Sequence, residues 1–434
     1  MKNLTYLLVS VSFVSFSQDH FENGFEKHEN GDFYGAIVDY TKAIEINPND
    51  DYAYYNIGLA KNNLEDYKGA IADYTKAIEI NPNNDYAYSK RGLSKYNLED
   101  YNGAMVDYNK AIEINPNNAN AYYNRGNLKS ALKDHKGAKA SYNKAIEINP
   151  NNASVYINRG LSKYNLGDYY GAIADYTRAI EINPNYDLAY YNRGLSKDDL
   201  EDYKGAIADY NKAIEINPNY ASVYINRGIV KEDLQDYKGA VSDYTKAIEI
   251  DPNDALAYNN RGVVKDNLKD YKGAIADYTK AIEINPNYAS AFNNRGVVKD
   301  NLKDYKGAIA DYTKAIEINP NHASAYNNRG VAKDDLKDYK GAIADYTKAI
   351  EINPNYASAC KNRGVAKDDL EDYKGAIADY TKAIEINPNY ASAYKNRGVS
   401  KEYLRDLSGA CADWRKAASL GDMKSAEWAE KQCN

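Results

Sequence analysis

The charged residues that could take part in chemistry recur along this chain at one fixed spacing. An arginine returns every 34 residues through ten successive segments, from Arg91 to Arg397. An aspartate recurs with the same period, as in Asp277 and Asp311, and only the fourth segment has a serine, Ser141, in its place. Two interpretations are open: a ladder of partly buried Arg–Asp ion pairs, or a basic stripe that holds an acidic ligand.

A row of asparagines follows the same period and is the candidate binding site. An asparagine amide is both a donor and an acceptor, so it can pair with the backbone of an extended peptide. The alternative is a structural role in which each asparagine ties one segment to the next. The row, which is broken by Lys90, comprises Asn56, Asn124, Asn158, Asn192, Asn226, Asn260, Asn294, Asn328, Asn362 and Asn396.

Acidic residues accumulate at another recurring place, mostly in the second half of the chain. They form either a solvated helix end or a site for a basic segment of a partner. These residues are Asp198, Asp199, Glu232, Asp233, Asp334, Asp335, Asp368 and Asp369.

No residue pattern in the sequence predicts catalysis. The four histidines, His20, His28, His135 and His322, are scattered, and the chain has no metal-ligand spacing, nucleophile elbow or phosphate-binding loop. We therefore expect a protein that is not an enzyme and that has no catalytic residue, metal or cofactor.

The three cysteines have different expected roles. Cys360 occupies a core position and is expected to be a buried free thiol. Cys411 and Cys433 lie near each other at the C-terminal end, so a disulfide between them is a hypothesis for an exported chain.

The spacing of proline and glycine shows what positions these residues. All 11 prolines, from Pro48 to Pro388, lie 34 residues apart, and 24 of the 27 glycines occupy two fixed places in that period. A period of this length indicates a stacked repeat architecture. The repeats span residues 17–50, 51–84, 85–118, 119–152, 153–186, 187–220, 221–254, 255–288, 289–322, 323–356, 357–390 and 391–424.

Each repeat contains two helical patterns. In the eighth, helix A is predicted from Ala255 to Leu268, with Leu268 on its packing side. Helix B carries an apolar stripe, is capped by Asp270 and is ended by Pro286. Gly262 lies within helix A, where glycine costs about 1 kcal/mol, and is expected to face small alanines of helix B.

The aromatic residues are unusual in their proportions. The chain has 45 tyrosines and 6 phenylalanines. In a protein built of thin layers we expect the tyrosine rings to pack while their hydroxyls reach water.

The recurring residues resemble those of the tetratricopeptide repeat family. The resemblance covers residues 18–424 and rests on an aromatic, glycine, tyrosine, alanine, aromatic, alanine and proline in register. In the eighth repeat these are Tyr258, Gly262, Tyr271, Ala274, Tyr278, Ala281 and Pro286. The resemblance implies an all-α, right-handed superhelical solenoid of about twelve helix-turn-helix units, with helix A on its concave face and a capping helix within residues 425–434.

The N-terminal residues predict export. Leu4 to Phe16 is mostly apolar and follows Lys2, and Ser15 and Ser17 suit cleavage before Gln18. Residues 1–17 are thus expected to be a signal peptide, the alternative being a buried first helix. No other stretch is expected to span a membrane. We expect a periplasmic, envelope or secreted protein, and the net charge of −7 argues weakly against nucleic-acid binding.

The sequence therefore predicts a non-enzymatic scaffold that binds an extended peptide or a partner protein in its groove. The alternative is a structural component of the cell envelope without a groove ligand, because the eighth to eleventh repeats are nearly identical. The sequence does not indicate the partner or the oligomeric state.

Overall fold

The chain is built of α-helices. A computed structural model describes residues 17–433, and every regular element in that range is an α-helix. The predicted signal peptide, apart from Ser17, lies outside the described residues. Ser17 itself is buried in the first helix, where its Oγ donates a hydrogen bond to the carbonyl of Ala43. Between residues 17 and 433, no helix combines the length and apolar character that a membrane crossing requires.

The helices of the described residues fall into two compact units, which are divided between Pro218 and Asn219. In the N-terminal unit the helices are α1 (residues 17–29), α2 (Phe33–Ile46), α3 (Asp51–Asn63), α4 (Tyr67–Ile80), α5 (Asp85–Asn97), α6 (Tyr101–Ile114), α7 (Ala119–Ala131), α8 (His135–Ile148), α9 (Ala153–Asn165), α10 (Tyr169–Ile182), α11 (Asp187–Asp198) and α12 (Tyr203–Ile216). In the C-terminal unit they are α13 (Ala221–Asp233), α14 (Tyr237–Ile250), α15 (Ala255–Asn267), α16 (Tyr271–Ile284), α17 (Ala289–Asn301), α18 (Tyr305–Ile318), α19 (Ala323–Asp335), α20 (Tyr339–Ile352), α21 (Ala357–Asp368), α22 (Tyr373–Ile386), α23 (Ala391–Tyr403), α24 (Leu407–Ser419) and α25 (Met423–Gln432).

Successive helices pair as hairpins, one hairpin for each predicted repeat. We call the odd-numbered helices from α1 to α23 helices A and their even-numbered partners helices B. Within each compact unit, neighbouring helices A also contact each other, whereas no two helices B among the described residues make comparable contact. Helices A therefore lie on the inner side of the local curve of each unit. The all-α fold and the succession of helix-turn-helix hairpins are confirmed.

Local sequence sets the ends of the helices as predicted. In α16, Asp270 accepts a hydrogen bond from the backbone N–H of Gly273, and the helix ends at Ile284, two residues before Pro286. The same aspartate cap begins every helix B. Between helices A and B the chain turns through one residue with positive φ, such as Lys269 at 62°. The same tight turn therefore joins helix A to helix B in each hairpin.

The packing around Gly262 differs from the expectation. A Cβ at this position would lie 2.7 Å from Cε1 of Tyr278, and not against an alanine. The tyrosine ring, 1% exposed, packs flat on the helix A backbone, because only glycine leaves room for it there. Glycine and tyrosine are thus one packing unit, which is repeated in the other hairpins from Gly24–Tyr40 onward, with Trp414 in the tyrosine place of the last.

Two other packing expectations are wrong. Leu268 is 43% exposed, because it follows the last turn of α15 and points away from the hairpin. The expectation that tyrosine hydroxyls reach water fails for one row of helix B tyrosines, from Tyr40 to Tyr380, because these residues are at most 1% exposed. Some of these hydroxyls bond inside the protein instead, Tyr380 to Asp368 (2.7 Å) and Tyr244 to Glu232.

The last helix, α25, covers the end of the C-terminal unit. Its Trp428 packs on Trp414 of α24, with ring centroids 5.5 Å apart. Lys424, Glu427, Glu430 and Lys431 are exposed on the other side of the helix. An apolar inner side and a charged outer side are typical of the helix that ends a repeat stack.

Candidate functional site

Arg261 and Asp277 form a bidentate ion pair between the two helices of one hairpin. Arg261 donates from Nε to Oδ2 (2.9 Å) and from Nη2 to Oδ1 (2.7 Å). The arginine side chain is 15% exposed and the aspartate 6%. The other pairs with this geometry are Arg91–Asp107, Arg159–Asp175, Arg193–Asp209, Arg227–Asp243, Arg295–Asp311, Arg329–Asp345, Arg363–Asp379 and Arg397–Asp413.

Further groups complete each pair. Lys265, one turn after Arg261 on the same helix, places Nζ 2.7 Å from Oδ2 of Asp277. Nη1 of Arg261 donates to Oγ1 of Thr245 on the preceding helix B (3.1 Å), and its guanidinium lies 5.5 Å from the centre of the Tyr258 ring. Each of the three guanidinium nitrogens thus donates a hydrogen bond within the protein, and the guanidinium also lies near an aromatic ring. Of the two interpretations, the structure supports the ladder of ion pairs over the ligand-binding stripe.

The asparagine row lies on helices A and forms a relay across hairpins in the C-terminal unit. Asn294 donates from Nδ2 to Oδ1 of Asn259 in the preceding hairpin (3.2 Å), and its own Oδ1 accepts from Asn293 (3.4 Å). The relay runs through Asn260, Asn259, Asn294, Asn293, Asn328, Asn327 and Asn362. Each interior amide therefore uses one donor and one acceptor inside the protein.

The other asparagines of the row are half-buried at the same register position but have different partners. Asn158 donates to the Tyr123 hydroxyl (3.0 Å) and to Asn127 (2.9 Å) in the preceding hairpin, and Asn56 donates to its own helix at Tyr52 (2.8 Å). The structure brings together the members within each compact unit. They are Asn56, Asn124, Asn158 and Asn192 in the N-terminal unit, and Asn226, Asn260, Asn294, Asn328, Asn362 and Asn396 in the C-terminal unit.

Two acidic residues near the C-terminal ends of helices A, Asp300 and Asp334, lie in successive hairpins and have raised pKa values. Burial, reinforced by the charge of Asp335, raises the pKa of Asp300 to about 6. Burial also raises the pKa of Asp334 to about 6, with Asp369 as the next cause. Oδ1 of Asp300 and Oδ1 of Asp334 are buried and have no hydrogen-bond partner among residues 17–433. A cationic group would relieve the mutual repulsion of these carboxylates.

The cysteines lie in two separate places. Cys360 is a fully buried free thiol, and burial raises its pKa. Cys411 on α24 and Cys433 after α25 lie with their Cα atoms 5.6 Å apart, a distance that suits a disulfide. The bridge stays a prediction, which peptide mapping tests.

No metal centre is present in the described part of the chain. There, no three histidine, cysteine, aspartate or glutamate side chains converge in a way that could hold an ion. His322 caps helix α19 through the N–H of Ala325 and is half-buried, which lowers its pKa.

Sequence reasoning missed two components of these networks. It did not pair Lys265 with Asp277, although Lys265 follows Arg261 by one helical turn and so shares its face. It also did not identify Asn259 and Asn293 as relay partners. Their signal was the appearance of adjacent asparagine pairs in three successive repeats.

Family comparisons match this chain in most of its repeats. The tetratricopeptide repeat model matches residues 52–84, 119–152, 153–186, 188–220, 255–288, 289–322, 323–356 and 357–390, which together are more than half of the chain. A second model, described as a TPR repeat, matches residues 24–64, 92–133 and 233–265. No curated protein sequence matches the chain significantly.

Solved structures with similar helical repeats cover the chain to different extents. The Cut9–Hcn1 hetero-tetramer of the APC/C is 14% identical, covering 99% of this chain and 98% of its own, with a TM-score of 0.48. Yeast Tom70 is 18% identical, covering 96% and 99%, with a TM-score of 0.41. YrrB, described as a TPR protein with an unusual peptide-binding site, is 29% identical, covering 42% and 95%, with a TM-score of 0.37. The family is shown by the repeat matches along the sequence: the chain belongs to the tetratricopeptide repeat family.

Proposed function

We propose that this chain is a non-enzymatic scaffold that binds an extended peptide, or an extended segment of a partner protein, along its helices A. The observation that carries the proposal is the spare hydrogen-bonding capacity of the asparagine relay. An amide offers two N–H groups and two lone pairs, and Asn294 uses one of each within the protein. One donor and one acceptor remain for the backbone of a ligand.

The structural and binding roles of the asparagines are therefore compatible. The relay holds the amides of successive hairpins in one orientation, which reduces the entropy lost when a ligand binds. An extended chain advances about 3.3 Å per residue and packed helices lie about 8–10 Å apart, so one hairpin would meet roughly every third residue. A peptide could thus follow the row through several hairpins.

The acidic residues favour a partner segment with basic side chains. Asp300 and Asp334 lie on the same helices A as Asn294 and Asn328. Each of the two aspartates has one buried carboxylate oxygen that has no partner within residues 17–433. A lysine or arginine of the ligand would neutralise this charge and donate hydrogen bonds to the carboxylates. Because the arginine ladder is internally paired, it would add no comparable attraction for an acidic ligand.

A comparison of two peptide libraries tests this proposal. The purified chain is immobilised and exposed to extended eight-residue peptides, one library enriched in lysine and arginine and the other in aspartate and glutamate. The proposal expects saturable binding of basic peptides that weakens as salt is raised, since the attraction is partly electrostatic. Absence of saturable binding by either library contradicts groove recognition, and preference for acidic peptides contradicts the assigned charge.

The alternative function is that of an envelope component valued for its length and rigidity. It is favoured by the segment from Tyr67 to Asn83, which returns unchanged at Tyr271, Tyr305, Tyr339 and Tyr373. A surface that recognises one ligand usually varies along its length, whereas a spacer does not need to. A failure of both libraries, with intact folding, would favour this alternative.

We also propose that the chain is exported and cleaved before Gln18. The support is the apolar stretch from Leu4 to Phe16 and the small residues before Gln18. Ser17 donates to Ala43, so cleavage would remove that contact while leaving the rest of α1. N-terminal sequencing of the protein from fractionated cells tests the proposal: Gln18 as the first residue supports it, and an intact Met1 contradicts it.

A further inference from the structure

The fourth hairpin lacks the carboxylate that its neighbours place between an arginine and a lysine. In the third hairpin, Oδ2 of Asp107 accepts from Nε of Arg91 (2.9 Å) and lies 2.8 Å from Nζ of Lys95. The other Asp107 oxygen accepts from Nη2 of Arg91 (2.8 Å). In the fourth hairpin the aspartate is replaced by Ser141. One negative charge is therefore missing, but both cations remain.

The remaining groups of the fourth hairpin do not replace that charge. Arg125 keeps its place, donating weakly from Nε to Oγ of Ser141 (3.3 Å) and from Nη1 to Asn109 (2.9 Å). No carboxylate among the described residues lies within ion-pair distance of Arg125. Lys129 has only Asp134, at 4.0 Å, and the Asp134 side chain is 52% exposed and caps the next helix.

The position is enclosed enough for an uncompensated charge to matter. Ser141 is 1% exposed, and its Oγ donates to the carbonyl of Gly137. The guanidinium of Arg125 lies 5.2 Å from the centre of the Tyr122 ring, and burial lowers the pKa of this arginine. Two cations held side by side in such a setting attract an anion more strongly than they would in water.

The missing carboxylate leaves room for a small occupant. Serine carries one side-chain oxygen where aspartate carries a carboxyl group. The smaller side chain therefore frees a space of roughly one water molecule, about 30 Å³. In the seventh hairpin, an open groove of about 440 Å³ leads to Arg227 and Asp243. In the fourth hairpin, Lys144 and Glu147 take the places of Lys246 and Glu249, and they pair with each other at 2.6 Å without neutralising Arg125.

We propose that the fourth hairpin binds one small monovalent anion, of the size of chloride or formate, between Arg125, Lys129 and Ser141. The anion occupies the position that the aspartate carboxylate takes in the neighbouring hairpins. Chloride matches the freed volume most closely, and formate is the smallest anion that supplies the planar carboxylate that serine lacks. Bulky anions such as gluconate do not fit the space.

Melting curves at constant ionic strength test this site. Sodium formate or sodium chloride replaces sodium gluconate in steps, using the full chain. We expect the melting temperature of the unchanged protein to rise on the order of 2–5 °C by 0.5 M formate, as a ligand of the folded state requires. In Ser141→Asp the internal carboxylate fills the site, so formate should give no increment over gluconate.

A neighbouring hairpin supplies the matched gain-of-site variant. Asp175→Ser in the fifth hairpin removes the carboxylate between Arg159 and Lys163, and should create a second site with a larger formate response. The proposal would be overturned if formate changed the melting temperatures of the unchanged protein, Ser141→Asp and Asp175→Ser equally. It would also be overturned if formate changed the melting temperature of neither the unchanged protein nor Asp175→Ser. If Ser141→Asp does not fold, Asp175→Ser against the unchanged protein still decides the question.

A crystal grown or soaked in sodium bromide locates the anion directly. The proposal expects an anomalous peak between the guanidinium of Arg125 and Nζ of Lys129, and no peak at the equivalent place beside Asp107. Ordered water at that position with no anomalous signal at saturating bromide would contradict the assignment.

Discussion

Arg261 grips Asp277 with two parallel hydrogen bonds, of 2.9 and 2.7 Å, between the two helices of one hairpin. Through Thr245 the same guanidinium reaches the preceding hairpin, at 3.1 Å. One side chain thus holds a hairpin together and joins it to its neighbour. Because this contact recurs in most hairpins, the row of paired charges is a structural element of the repeat stack.

Removal of one ladder arginine should be strongly destabilising. Arg261→Met leaves the buried Asp277 with Lys265 as its remaining cation, and we expect a loss of about 2–4 kcal/mol in the free energy of unfolding. Urea denaturation measures it. The control is Lys280→Ala, which breaks an exposed pair with Glu283 and should cost under about 1 kcal/mol. Equal effects of the two substitutions would show that the ladder is not structural.

Enlarging Gly262 should disturb the Tyr278 ring. A Cβ added at this position would lie only 2.7 Å from the buried ring. We therefore expect Gly262→Leu to lower the free energy of unfolding by at least about 1–3 kcal/mol. Asn267→Leu, on the exposed end of the same helix, is the control and should change stability little. In Tyr278→Leu the substitution Gly262→Leu should cost less, because the two positions share one space. Fully additive losses would refute this packing.

Stability should rise as the pH falls from 7 toward 5, in part because of Asp300 and Asp334. Their pKa values, raised to about 6, make the folded protein bind more protons than the unfolded chain between about pH 4 and 6. The penalty is therefore fully present above pH 6 and is relieved on acidification. Asp300→Asn with Asp334→Asn should stabilise the protein at pH 7, on the order of 1 kcal/mol for each half-buried carboxylate.

Melting temperatures of the two forms between pH 5 and 7.5 provide the measurement. The difference between the double variant and the unchanged protein should shrink as the pH is lowered. A difference that is constant with pH, or that grows on acidification, would show that these carboxylates titrate normally.

Reduction should weaken the C-terminal cap. A Cys411–Cys433 bridge closes a loop over 22 residues, and loop-closure entropy predicts about 3 kcal/mol of stabilisation for the segment it encloses. Reductant should therefore lower the melting temperature of the unchanged protein and leave that of Cys433→Ser unaltered. Non-reducing peptide mapping gives the direct check, and finding both thiols free would contradict the bridge.

Regular features of the fold could be predicted from the sequence because they depend on local chemistry. Asp270 and Pro286 set the ends of α16 through contacts within the neighbouring residues alone. The positions of the hairpins along the sequence can therefore be predicted without the structure. The contact between Gly262 and Tyr278 could not, because it depends on how two helices are rotated against each other. The sequence shows that both faces are apolar but does not fix that rotation.

The site was predictable only in part, for the same reason. The periodic asparagines and aspartates can be identified in the sequence. The hydrogen bond from Asn294 to Asn259 cannot be predicted from it, because this bond depends on how two neighbouring hairpins are placed along the stack. The raised pKa of Asp300 depends on burial and on Asp335, and neither can be read from the order of residues. The sequence shows Ser141 as an exception in the aspartate row. Only the structure shows that Arg125 and Lys129 keep their places there without the carboxylate.

Affinity for a basic extended peptide, compared across two triple variants, tests the central claim most directly. Changing Asn260, Asn294 and Asn328 together to alanine should reduce affinity at least tenfold, about 1.4 kcal/mol, by isothermal titration calorimetry. Changing the helix B residues Lys280, Lys314 and Lys348 to alanine should leave affinity within about twofold, with both variants folded by circular dichroism. Equal affinity of the asparagine variant and the unchanged protein would contradict the account.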